Sequence, residues 1–153
     1  MIKLLAAVCV LVASVSGQGF ETYGAGCAGA STPPAIGASG DPKVGQAYAV
    51  QVSNLKPYSV GAFIVGLSKD IYDGNILPFD LTGMGMPGCE LLVGWDAEIG
   101  FFSKPGGVAT WHMVIPNDPL LVGAVYYAQA YVVDPVANVR GIATSNAGKF
   151  TIQ

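Results

Sequence analysis

Turn-forming residues limit the length of everything this chain can build. Beyond residues 1–17, Gly, Pro, Asp or Lys interrupts every hydrophobic run, with 21 glycines and 10 prolines in the 153-residue chain. The intervening pieces are too short for a helix with a useful buried face, but they suit strands. Tyr48, Val50 and Val52 alternate with Ala47, Ala49, Gln51 and Ser53, the period of a half-buried strand. Val60 to Ser68 is more continuously apolar through Phe63, Ile64, Val65 and Leu67, as in a strand covered on both faces.

An irregular stretch follows from Lys69 to Gly88, where Asp73-Gly74-Asn75, Pro78, Gly83, Gly85 and Pro87-Gly88 oppose regular structure. Short strands resume at 89–93 and 97–102. Lys104-Pro105-Gly106-Gly107 then reads as a hairpin turn into Val108 to Ile115, with the Ala109, Trp111, Met113 and Ile115 face inward. Asn117-Asp118-Pro119 begins a connection with room for one helical turn. The run 124–134, rich in Tyr and Val, is a strand, and 140–144 and 149–152 close the chain as two short ones. Seven or eight short strands without βαβ alternation predict an all-β, antiparallel, immunoglobulin-like sandwich over residues 46–153, a small barrel being the competing closure. Residues 18–45, dominated by Gly, Ala, Ser and Pro, are expected to form an extended lead-in packed on that domain.

The first seventeen residues predict a cleaved secretory signal peptide. Lys3 gives a positive start, Leu4 to Val12 an apolar stretch, and Ser14 to Gly17 small residues for cleavage. The apolar stretch is well short of the roughly 18–20 residues that cross a bilayer, so no transmembrane anchor is expected, and the protein is read as secreted, periplasmic or on the cell surface. Cleavage removes Cys9 and leaves Cys27 and Cys89, which in an oxidising space most simply form one disulfide. Two thiols and a distant histidine make no plausible tetrahedral metal set. Loss of Lys3 leaves six basic against ten acidic residues with no basic cluster, which argues against nucleic acid as a partner.

Tyr23-Gly24-Ala25-Gly26-Cys27, the central Gly85-Met86-Pro87-Gly88-Cys89-Glu90-Leu91-Leu92, and the run from Ile115-Pro116-Asn117-Asp118-Pro119 through Tyr127, Gln129 and Asp134-Pro135 to Ser145-Asn146 together resemble an uncharacterised domain. That domain recurs in exported proteins of planctomycetes and similar bacteria. The resemblance spans nearly the whole chain after the leader. It implies a Cys-paired β-sandwich, export and a Cys27–Cys89 bridge, and it brings no activity.

No residue set marks catalysis, and no cofactor is expected. His112, the one histidine, stands on the strand face opposite Trp111 without a nucleophile motif beside it. Asp70, Asp73, Asp80, Glu90, Asp96 and Glu98 are the carboxylates a glycosidase would have to pair, and they are scattered through loops. Asp70 to Asn75 offers oxygen donors to Ca²⁺ but fails the calcium-loop spacing and lacks its terminal Glu. The aromatic residues Tyr72, Phe79, Trp95, Phe101 and Phe102, in or beside loops, are the candidate ligand or partner surface. Charged residues make up only 11% of the chain, so part of its surface is expected to face another molecule. The expected function is therefore a non-catalytic structural, adhesive or matrix-interaction protein, self-assembling or bound to an envelope or matrix protein. The alternative is a small carbohydrate-binding module that holds a glycan with the loop aromatics.

Overall fold

The computed structural model describes residues 19–29 and 31–153. The leader expected over residues 1–17, with Cys9, lies outside the described residues. Among the described residues, twelve strands run in chain order: β1 Phe20–Tyr23, β2 Ala35–Ser39, β3 Ala47–Ser53, β4 Val60–Gly66, β5 Ile71–Tyr72, β6 Asn75–Ile76, β7 Phe79–Asp80, β8 Glu90–Leu91, β9 Ala97–Phe102, β10 Ala109–Val114, β11 Val125–Val133 and β12 Ile142–Thr151. Two single-turn 3₁₀ helices, Thr82–Met84 and Pro119–Leu121, are the helical elements among the described residues.

Strands β1-β12-β11-β4-β9 form a five-stranded sheet and β10-β3-β2 a three-stranded one, all antiparallel. The chain crosses between the sheets from β1 to β2, from β3 to β4, from β9 to β10 and from β10 to β11. This is the crossover pattern of an immunoglobulin-like sandwich, with separate edges rather than barrel closure. Side-chain alternation explains the packing: Tyr48, Val50 and Val52 of β3 are buried against Phe63, Ala128, Ala130 and Phe150 of the facing sheet. Aromatic rings knit this core, with Phe63 5.1 Å from Phe101 and 6.4 Å from Trp111, and Phe150 stacked 5.5 Å from Tyr126. Each fully buried large side chain such as Phe63 contributes about 1.5–3 kcal/mol through removal from water.

Two sequence expectations change. The stretch 18–45 gives one strand to each sheet, with β1 pairing β12 and β2 pairing β3, so the sandwich begins at Phe20 rather than near Gln46. Phe20 and Ile36 reach the core from it, and its Gly26 and Gly29 lie close against the backbone of Thr144 and Ala137. The closing strands expected at 140–144 and 149–152 are one strand, β12. Its register against β11 shifts between Gln129 and Tyr131, placing one extra residue on β12 near Ser145-Asn146, a β-bulge. The polar side chains that look like a turn in sequence instead satisfy backbone donors: Ser145 Oγ accepts from Ala130 N at 2.8 Å and Asn146 Oδ1 from Ile36 N at 2.9 Å.

The irregular stretch becomes an excursion from Leu67 to Asp96 folded over the outer face of the five-stranded sheet. Its neck is closed by Gly94 N to Ser68 O (2.8 Å), Asp96 N to Val65 O (3.0 Å) and Leu67 N to Asp96 Oδ2 (2.8 Å). It buries Leu92 and Val93 against Ile64 and Ala147, giving β4 a covered face on each side. Cys89, within the excursion, is bonded to Cys27, whose backbone exchanges hydrogen bonds with Thr144. Met86 packs beside the bridge. The disulfide thus staples the excursion to the sheet it covers.

Candidate functional site

Between the excursion and the sheet lies a cavity of about 360 Å³, at the small end of ligand pockets. Sheet residues Ile64, Gln129, Tyr131, Ile142 and Thr144 form its floor. The wall is built by Tyr72, Asp73 and Asn75 of the β5–β6 ribbon, by Leu77, Phe79 and Leu81, by Met84 and Met86 of the turn before Cys89, and by Glu90, Leu91 and Trp95. Arg140 completes the rim. Strand periodicity explains the floor, because residues two apart on β11 share a face and Gln129 and Tyr131 both point outward under the excursion.

Gln129 anchors the cavity's base. It is fully buried, its Oε1 accepts from Leu92 N at 3.0 Å, and its Nε2 donates to Glu90 O at 3.0 Å and Ser145 O at 2.9 Å. One side-chain amide therefore closes the backbone of β8 onto the sheet. At the other side the polar tips of the aromatic residues are tied down. Trp95 Nε1 donates to Glu98 Oε2 at 3.0 Å and Tyr131 OH to Glu98 Oε1 at 2.6 Å, so one carboxylate holds both rings, whose centroids are 5.7 Å apart. The hydrogen bond to Glu98, with burial and the carboxylate's charge adding to it, pushes the Tyr131 phenol up to about 12. Tyr72 OH donates to Trp95 O at 2.8 Å. With their hydrogens committed, these residues offer ring surface to the cavity and few donors.

The sequence-predicted aromatics separate into two groups. Tyr72, Phe79 and Trp95 come together at the cavity. Phe101 turns into the inter-sheet core against Phe63. Phe102 is 77% exposed on the outer sheet face, opposite Val60, and outside the cavity. The difference is strand parity, since Phe101 and Phe102 are adjacent on β9 and must face opposite ways.

The loop carboxylates also scatter by role. Asp73 and Glu90 line the cavity, Glu98 stands behind its aromatic wall, Asp96 holds the neck, and Asp80 Oδ1 accepts from Thr82 N at 2.8 Å; hydrogen bonding from the Thr82 side chain first, and from its backbone N–H second, keeps the Asp80 carboxyl below the usual range. Asp70 to Asn75 is a tight hairpin with Asp73 and Gly74 at positive φ. Among the described residues, no three His, Cys, Asp or Glu side chains group to hold a metal ion. His112 is exposed on β10 beside a shallow depression with Ala49 and Val114.

Gln129, Tyr131, Met84, Met86 and Arg140 line the cavity without being among the residues the sequence marks as a site. Gln129 carried a signal, as the lone amide in an otherwise apolar and aromatic strand. The others become site residues only because the excursion folds onto their side of the sheet. No family model, curated protein or solved structure matches the chain, and no helix among the described residues is long and apolar enough to cross a membrane.

Proposed function

We propose that this is a non-catalytic exported β-sandwich that works by binding, as a structural or adhesive component outside the cell, and that the cavity under the excursion is where it holds its partner's exposed group. The observation carrying this reading is the construction of the cavity: its floor and wall are fixed by the buried Gln129 amide, the Glu98 carboxylate and the Cys27–Cys89 bridge. Rigid placement of apolar and aromatic groups around a concavity is what recognition requires. Export rests on the leader pattern in residues 1–17 and agrees with a buried disulfide.

The test is a fragment screen by two-dimensional NMR on the protein lacking residues 1–17. Shifts from hits should cluster at Tyr72, Trp95 and Ile142, and Trp95→Ala should abolish them. Hits confined to the Phe102 face, or unchanged by Trp95→Ala, would overturn the placement. Light scattering on the same sample addresses self-assembly, which predicts a species larger than the monomer at high concentration.

The carbohydrate alternative keeps one specific support: Asp73, Asn75, Glu90 and Arg140 surround exposed ring surface of Trp95 and Phe79, and sugars need both stacking and hydrogen bonding. A glycan array with no hit sensitive to Trp95→Ala would remove it.

A further inference from the structure

The pocket's electrostatics narrow what it takes. We infer that the cavity recognises a small solute carrying a quaternary ammonium group, of the choline or betaine class. This inference rests on the cavity being the binding site.

Ring faces carry the negative lobe of the aromatic quadrupole, and alkylated cations that cannot donate hydrogen bonds are attracted to them. Here the attraction is reinforced by the hydrogen bonds behind the rings. Trp95 and Tyr131 both give their polar hydrogen to the Glu98 carboxylate, and Tyr72 gives its own to a carbonyl. Donation to an anion pushes electron density into the ring and deepens the negative face. Phe79 and Tyr72 line the same space without stacking on another ring among the described residues, so their surfaces are open to a ligand.

The nearby formal charges point the same way. Asp73 follows Tyr72 at the tip of the ribbon, Glu90 lines the wall, and Glu98 lies behind the rings. Arg140, the one cation on the lining among the described residues, enters by the Met84–Met86 turn, where its backbone N–H donates to Gly85 O. Arg140 precedes β12, and β11 and β4 separate β12 from β9, the strand that carries Glu98. Three strand spacings put the two ends roughly 14 Å apart. The aromatic end is thus an acidic, ring-lined recess with its counter-charge at the far rim. A trimethylammonium group suits it because it needs no donors or acceptors, and most of those on the rings are already committed. An anion would be repelled there by Asp73 and Glu98, and a neutral sugar, whose hydroxyls Asp73 and Asn75 can bond, would gain nothing from the deepened negative ring faces.

The experiment titrates the protein lacking residues 1–17 with choline and with 3,3-dimethylbutan-1-ol, the uncharged isostere, by calorimetry and by NMR at Trp95. Choline should bind about tenfold more tightly than the isostere, the scale of a partly desolvated cation–π contact. Trp95→Ala and Glu98→Gln should each weaken choline while leaving the isostere within about twofold under Glu98→Gln. Equal affinity for choline and the isostere would overturn the cation inference and leave the pocket standing. No shift at Trp95 with either compound, or with the fragment screen, would overturn both. Because Trp95 and Glu98 are exposed, both variants should fold, and an unchanged urea midpoint checks this.

Discussion

Replacing Gln129 by leucine keeps the approximate shape of the side chain and deletes its three hydrogen bonds. The partners left behind are Leu92 N–H, Glu90 C=O and Ser145 C=O. Glu90 is exposed, so its carbonyl can turn to water, whereas Leu92 and Ser145 are buried at 1% and 0% exposure. An unsatisfied buried backbone group costs about 1–3 kcal/mol, so the two enclosed groups together cost about 4 kcal/mol. The apolar gain of a buried leucine offsets about 2 kcal/mol. The expected net loss is about 2 kcal/mol, read as a lower urea midpoint with an unchanged slope. Local opening is the more specific signature. The Leu92 amide should exchange with solvent much faster than amides of β3 and β11, because the excursion loses its central anchor while the inter-sheet core keeps its own. Equal stability within about 0.5 kcal/mol and unchanged exchange at Leu92 would refute the assignment of Gln129 as the anchor of the pocket.

Removing the disulfide by Cys27→Ser with Cys89→Ser should cost about 4 kcal/mol for a bridge spanning 62 residues, measured by urea unfolding, with protease cutting in the excursion first. Gly66→Ala should lose about 1–3 kcal/mol, since its Cβ would meet the Gly94 backbone at the neck; thermal unfolding measures this, and no loss would mean the neck can widen freely. Tyr131 favours its neutral form in the fold, with a phenol pushed up to about 12 against an ordinary 10.0. Its contribution to stability is therefore fully present below about pH 10 and is lost as pH rises through about 12. The tyrosinate absorbance difference between the parent protein and Tyr131→Phe should show that late midpoint, and Glu98→Gln should move it down.

How much of the site could be read beforehand depended on whether a residue's partners were near it in sequence. Trp95, Tyr72 and Phe79 were legible because rings within turn-rich segments have few strand positions in which to hide. Phe101 and Phe102 were not separable from them until strand parity on β9 sent one ring inward and left the other outside. Ser145-Asn146 looked like a break because hydroxyl and amide side chains favour turns. In the fold the same groups satisfy a bulge, since Ala130 and Ile36 lie opposite. Gln129 and Tyr131 acquire roles only through contacts 16 to 39 residues away, and Glu98 joins Trp95, three residues back, to Tyr131, 33 residues on.

The sequence by itself determined an antiparallel all-β protein with a single cysteine pair after residue 17, because alternation, turn formers and residue counts are local properties that act before any long-range contact forms. Tertiary structure alone decided that residues 20–45 supply strands to both sheets, that 67–96 folds over the outer face, and that a ring-lined cavity lies beneath. Those outcomes depend on which buried donors and acceptors find each other across the sheet, and that pairing is a property of distance in space, to which spacing along the chain gives no guide.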